Sequence, residues 1–348
     1  MHRFDGLLVA ARRHGPQLGM DESVQTLSAQ HNGLVPAAEL RKLGVGSRAA
    51  DSLVGRGQLA RIRRGMYADN AVWGDADVDE RYRLLVRSTA MLSERPMVLS
   101  HLSAAAMHGL PKIGAWPKTV HTVDPRPTGG SAARFMTNHR GGPVAPSVPI
   151  AGVVGTSLAR TLVDVAATSP FLVGVGMVDH ALRIERERVE TGLRRGICEA
   201  RALTKEDLYA ELAAVNPRTG GRRAASVIDF SNDLAANLGE SLSRVRIFEL
   251  GFEVPELQVC FRNIGGRNYW VDFFWRRIRK IGEFDGKHKY TRGAILGDRD
   301  PGEVVWVEKQ REDALRFHSD SFDRWDWEIA ISPRQFYNFL VEHGVPRA

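Results

Sequence analysis

The 348-residue chain is 43% hydrophobic and 26% charged, an ordinary globular composition with length for about two or three domains. Lysine and arginine number 48 against 41 acidic residues, and the net charge of +7 with a pI near 9.6 favours a polyanionic partner such as nucleic acid. The distant Cys198 and Cys260 support neither a disulfide framework nor a zinc cluster, and no run approaches the roughly 18 apolar residues of a membrane span. The run LLVAA near the start is too short for the core of a signal peptide, so a cytoplasmic protein is expected.

Residues 21–72 read helix, turn, helix, wing. MDESVQTLSAQHNG suits a helix opened by Asp21 or Ser23, and GLVPAAELRKLGV has Pro36 near a first helical turn and Gly44 at its end. SRAADSLVGRGQL predicts a third helix with Ser47 as its N-cap, and LARIRRGMYADN a strand, a turn at Gly65 and a second strand. That order is a winged helix-turn-helix. Ser47 and Arg48 would then face the major groove of double-stranded DNA, with Arg56, Arg61, Arg63 and Arg64 supplying charge near phosphates. The alternative is that these arginines only solvate a small helical domain.

A mixed α/β middle domain is expected over residues 82–215. VLSHLSAAAMHGLP reads as a strand end and a helix capped by Ser100 or Ser103, and VHTVDPRPTGGSAARFMTNHR as two strands flanking a Gly/Ser-rich turn. TSLARTLVDVAATSP is an amphipathic helix with Leu158, Leu162 and Val165 on one stripe. His101, His108 and His121 lack the spacing of a metal site, and structural histidines are expected. RIERERVETGLRRGICEAR, with charges of both signs, reads as a solvated helix face.

The stretch GLVPAAELRKLGVGSRAADSLVGRGQLARIRRGMY, followed by LSHLSAAAMHGLP and TSLARTLVDVA, resembles the AbiEi family of winged-helix antitoxins encoded beside nucleotidyltransferase toxins. The resemblance covers roughly residues 21–190. It implies DNA binding, repression of the protein's own operon, and a nucleotidyltransferase-like toxin as partner. Because the family usually begins near the position of Met20, it also implies that residues 1–20 are an extension from a misassigned start.

NPRTGGRRAAS, with Gly220, Gly221 and three arginines, is expected to open a linker over residues 216–230, with a last domain at 231–348. There NYWVDFFW and IRKIGEFDG alternate as strands joined by a short turn. A turn centred between Arg277 and Ile278 sets Asp272 opposite Glu283, with Asp285 on the face of Glu283. Like charges placed so need neutralising, and a hard divalent cation, Mg²⁺ or Mn²⁺, is the expected agent. LGESLSRVRIFELGF forms a leading helix with Glu240 in its first turn, and GEVVWVEKQREDALRFH a following one. On the latter, Arg311 shares a stripe with Val304, Val307, Ala314 and Leu315, so the carboxylates could be its partner. RWDWEIAIS is expected as a strand and PRQFYNFLVEH as a closing helix.

Helix, three strands, helix, strand, helix, with Asp272 followed by Glu283-x-Asp285, resembles the PD-(D/E)XK nuclease fold, in particular the branch of the Vsr endonucleases. The resemblance implies a restriction-endonuclease-like core with a mixed sheet, within an α+β multi-domain chain. It implies metal ligation by Asp272, Glu283 and Asp285, with Glu240 and Lys309 or Arg311 nearby. Asp285 stands where the family's strand carries lysine, so Lys287 or His288 would replace that group.

Two function classes compete: a metal-dependent endonuclease delivered to DNA by its winged helix, and an antitoxin-type autorepressor carrying a silent nuclease fold. A Ser-His-Asp hydrolase and a P-loop nucleotide-binding protein are unsupported, since neither Gly-x-Ser-x-Gly nor a phosphate-cradling glycine loop is present.

Overall fold

The computed structural model describes residues 22–124, 132–133, 135–140, 147–197, 201–286 and 301–348. It is an α+β chain that divides into two compact units after Leu92. No described helix is long and apolar enough to cross a membrane.

The first unit runs α1 (Glu22–Gln30), β1 (Leu34–Pro36), α2 (Ala37–Lys42), α3 (Ser47–Gly55), β2 (Leu59–Arg63), β3 (Met66–Asp69), α4 (Asn70–Asp75) and α5 (Val78–Met91). Its antiparallel sheet has the order β1-β3-β2. Val24, Leu27, Val35, Leu40, Ala50, Leu59 and Tyr67, one or two from each element from α1 to β3, form its core. Helix α3 begins at Ser47, but its N-cap is Gly46, whose carbonyl accepts from Ala50 N. The expected cap is therefore one residue inside the helix. Asp69 and Asp77 start α4 and α5 by accepting from Ala71 N and Glu80 N. Asp21, the other proposed helix opener, lies outside the described residues.

The second unit holds two sheets. In the first, β4 (Val98–Leu99), β5 (Val120–Asp124), β6 (Ala132–Ala133), β7 (Met136–Arg140), β8 (Val148–Ile150) and β9 (Val153–Gly155) take the order β6-β7-β5-β4-β9-β8. The histidine-bearing strands β5 and β7 are neighbours but run parallel, so they are not the arms of a hairpin. Helix α6 (His101–Met107) follows β4, with Ser100 in the N-cap position. A helical layer of α7 (Leu158–Thr168), α8 (Phe171–Arg194), α9 (Lys205–Val215), α10 (Gly221–Phe230) and α11 (Leu238–Glu249) follows. The first half of α8 is buried, whereas its charged second half is laced by pairs such as Arg183–Glu187 and Arg188–Glu185, as a solvated face should be.

The expected linker is instead largely the helix α10, whose Ala224, Val227 and Ile228 are buried in one core with residues of α7, α8 and α11. Gly220, at its N-cap, allows close packing rather than flexibility. Gly220 sits at φ +83, and a Cβ there would lie 2.1 Å from the carbonyl oxygen of Ala167.

The second sheet has the order β10-β11-β12-β13 for β10 (Glu256–Ile264), β11 (Arg267–Trp275), β12 (Lys280–Asp285) and β13 (Ser321–Asp326). The first three are antiparallel and β13 is parallel to β12, which makes the sheet mixed. Helix α12 (Pro301–Arg316) contributes Leu315 to a core with Val271, Phe274, Ile281 and Phe322. Phe273, Phe284 and Trp325 join the core of α11, α13 (Trp327–Ile331) and α14 (Pro333–Glu342). The stretch expected as a strand at RWDWEIAIS ends its strand at Asp326, whose carboxylate accepts from Ile329 N and turns the chain into α13. The closing helix α14 starts at Pro333 as anticipated, with Ser332 as its cap.

Asp179 on α8 is fully buried and accepts two hydrogen bonds from Arg244 on α11, at 2.8 and 2.9 Å, plus others from Ser241 Oγ and Asn232 N. Replacing Asp179 with Ala strands the Arg244 charge in the core and should cost about 3–5 kcal/mol. Urea denaturation followed by tryptophan fluorescence measures this, because the tryptophans Trp275 and Trp325 are buried in the same core.

Candidate DNA-binding face and carboxylate site

In the first unit, α3 offers one polar stripe. Arg48, Asp51, Ser52 and Gly55 are exposed at helical spacing, while Ala50 is buried and Leu53 and Val54 pack on the core. Ser47 and Arg56 are exposed at its two ends. The wing is a tight turn at Arg64 and Gly65, with Gly65 at φ +84 and Arg64 exposed beside it. The other two wing arginines have internal partners. Arg61 pairs with Asp51 on α3 and sits 5.3 Å over the Tyr67 ring, and Arg63 donates to Thr89 on α5. Partial burial lowers the Arg63 pKa, so this guanidinium is turned inward.

Arg48 lies on the stripe that would enter the groove, whereas Arg64 lies on the wing beside the backbone. Arg48→Ala should therefore reduce discrimination between sequences, and Arg64→Ala should weaken binding evenly and lower the salt slope by about 1. Fluorescence-anisotropy titrations on two unrelated duplexes over a salt series distinguish the two outcomes.

In the second unit, the β11–β12 register pairs Phe273 with Gly282 and Phe274 with Ile281. Continued by one step, it sets Asp272 opposite Glu283. The turn between the strands is a short 3₁₀ segment, Arg276–Ile278, closed by Arg279 at φ +47, which explains how a sequence lacking Gly or Asn makes it. The two carboxylates nonetheless engage separate partners. Asp272 accepts from Gln258 Nε2 at 3.1 Å and from Phe284 N at 3.0 Å. Glu283 is buried and accepts from both terminal nitrogens of Arg311, and from Arg324 at 3.2 Å.

Glu240, on the first turn of α11, accepts from Ala236 N, Asn237 Nδ2 and Gln258 Nε2. Gln258 thus bridges Glu240 and Asp272. Asp285 and Lys309 are exposed, and Lys287 and His288 lie outside the described residues. Among the described residues, no three His, Cys, Asp or Glu side chains are arranged to hold a metal ion. As the side chains stand, the acids expected to bind Mg²⁺ do not fit it, because Glu283 is clamped by Arg311 and Arg324 while Asp272 and Glu240 turn to Gln258 and backbone donors.

A histidine cluster also forms. His101 stacks on His139 with centroids 3.5 Å apart and planes 13° from parallel, and His139 Nε2 lies 2.9 Å from His121 Nδ1. The stacked rings do not converge on one point as metal ligands do. His108 is separate and contacts the Thr156 carbonyl. Asp164, held by Arg160, presents Oδ2 3.8 Å from His101 Nδ1.

Burial first, then neighbouring histidines, lowers the His101 and His121 pKa values, the latter to about 4; burial alone lowers His139. A folded-state histidine pKa below the unfolded 6.5 gives stability that is present above pH 6.5 and lost as pH falls through the folded value. Asp164, raised by burial to about 6, acts with the opposite sign between pH 6 and 3.8. Burial lowers His108 and His180 as well and raises Asp179, so five histidines stand against two aspartates. Acidification from pH 6.5 toward 4 should lower the melting temperature of the second unit, and His121→Asn should flatten that dependence in calorimetry.

Residues 22–68, spanning α1 to most of β3, match a family described as "Transcriptional regulator, AbiEi antitoxin". Two relatives in Mycobacterium tuberculosis, uncharacterized protein MT2308 of strain CDC 1551 / Oshkosh and uncharacterized protein Rv2248 of strain H37Rv, are similar over a longer stretch. Each is 26% identical over 239 residues, 68% of this chain and 76% of the relative.

Sequence reading missed Asp51, Gln258, Arg324 and His139. Asp51 had a signal, since it lies one helical turn from Arg48. Gln258 and Arg324 had none, because their partners come from other strands and helices.

Proposed function

We propose that the protein is a double-stranded-DNA-binding regulator of the AbiEi antitoxin type. Its α2–α3 pair and wing bind an operator, and a nuclease-like C-terminal fold serves to pack and contact partners. The exposed stripe of Arg48, Asp51 and Ser52 on α3, inside the segment that matches the antitoxin family, supports this reading most directly. Arg56 and Arg64 would meet the flanking phosphates, and Arg61 would hold Asp51 in place through their ion pair. A nucleotidyltransferase-like toxin is the protein partner that this reading implies, in the cytoplasm where both would act.

The experiment is a mobility-shift assay of the full chain on the DNA upstream of its own gene, in EDTA, with Arg48→Ala as control. A retarded band that unrelated duplex competes poorly, and that the substitution removes, is the expected result. Equal affinity for all duplexes would contradict an operator-binding role.

A second reading, cleavage of DNA phosphodiesters by a cation-dependent endonuclease, draws on the Phe273–Gly282 register, which continued by one step faces Asp272 with Glu283. It requires cutting in Mg²⁺ or Mn²⁺ that EDTA and Glu283→Ala both abolish.

A further inference from the structure

We infer that Gln258 and Arg311 are built-in occupants of the acidic site, taking the two positions from which a divalent cation would neutralise Glu240, Asp272 and Glu283. The inference concerns the C-terminal domain alone and does not depend on operator binding by the first unit.

A divalent cation needs several carboxylate oxygens turned to one point and free of competing cations, and usually keeps several waters as its other ligands. Here the donors are already protein groups. One nitrogen, Gln258 Nε2, lies 3.0 Å from Glu240 Oε2 and 3.1 Å from Asp272 Oδ1, the place of an ion bridging helix α11 to strand β11. Gln258 does this from a left-handed backbone position, φ +50, which is uncommon for a non-glycine residue and is sustained by the contacts around it. The second position belongs to a guanidinium. Arg311 grips Glu283 with both terminal nitrogens and donates to the Trp270 carbonyl at 2.6 Å, fixing α12 to the sheet. Arg324, next to Glu283 across the β12–β13 ladder, adds a second positive group on the same carboxylate.

The bidentate fork is charge-assisted and matches carboxylate geometry, so it replaces a metal electrostatically without its Lewis acidity. Gln258 supplies a neutral hydrogen-bond bridge with no charge at all. The domain therefore keeps the layout of a cation site while closing it from within.

The test is Mn²⁺ binding by the full chain, read by electron paramagnetic resonance of free and bound Mn²⁺ and by thermal shift. Wild type should show no saturable Mn²⁺ site that Asp272→Asn or Glu283→Gln removes. The Gln258→Ala/Arg311→Met double variant, shown to be folded by circular dichroism, should gain one such site, and Glu283→Gln added to it should abolish that gain. Saturable binding by wild type that either acid substitution removes would overturn the inference, as would a folded double variant that binds no Mn²⁺. If the double variant does not fold, Gln258→Ala and Arg311→Gln are each tested alone by the same criteria. Mobility shifts run in EDTA report on the first unit separately, so failure of operator binding and failure of this inference remain distinguishable.

Discussion

The second unit is organised around the Asp179–Arg244 ion pair. Both side chains are buried, and burying opposite charges repays its desolvation cost only when the remaining hydrogen-bonding capacity is met. Asp179 meets it with Arg244, Ser241 and the Asn232 amide, and Arg244 adds the Phe230 carbonyl and lies 4.3 Å over the Phe230 ring. Those contacts fix α11 against α8 and the end of α10. Everything α11 carries is thereby placed. Gly239 lets the Phe284 ring press on the helix, where an added Cβ would fall 2.0 Å from it, and Ser243 accepts from the Trp325 indole on β13. Glu240 reaches the sheet because the residues on either side of it are held.

That dependence explains which parts of the fold were legible in the sequence. Local signals were sufficient for the order of the winged helix, where the Gly65 turn and short amphipathic stretches specify the same arrangement, while its caps fell on other residues. Centring the turn between Arg277 and Ile278 also gives the β11–β12 register that pairs Phe273 with Gly282. Local signals misled at 216–226. Two glycines and three arginines look like a flexible connection, yet Gly220 is needed because the Ala167 carbonyl lies where its side chain would be. Composition records that glycine is present and does not record what stands next to it.

The candidate site divided in the same way. The facing of Asp272 and Glu283 follows from the turn centre, one step beyond the last ladder pair, and the demand of Arg311 for a partner follows from its place in an apolar stripe; the structure joins Arg311 to Glu283. The convergence of three acids on one ion does not follow, because facing positions on a ladder say nothing about where carboxylates turn once donors from other elements arrive. Gln258, Arg311 and Arg324 come from β10, α12 and β13, and each captures oxygens that alternation alone leaves pointing together. The histidines teach the converse. Sequence spacing separates His101, His121 and His139, and the parallel pairing of β5 with β7 beside α6 gathers them.

The charge around Glu283 bears on what the C-terminal domain can attract. A site that holds a dication must present an excess of negative charge, since several carboxylates share one ion. Among the described residues here, Glu283 is matched by Arg311 and Arg324, and Glu312 by Arg324 and Arg316. Three guanidiniums serve two carboxylates. Asp272 and Glu240 are held by neutral amide donors, so the wider site stays acidic and the guanidiniums neutralise its Glu283 corner. The clamp on Glu283 thus joins α12 and β13 to β12 through charge, at the corner of the site where the carboxylate would otherwise be left open.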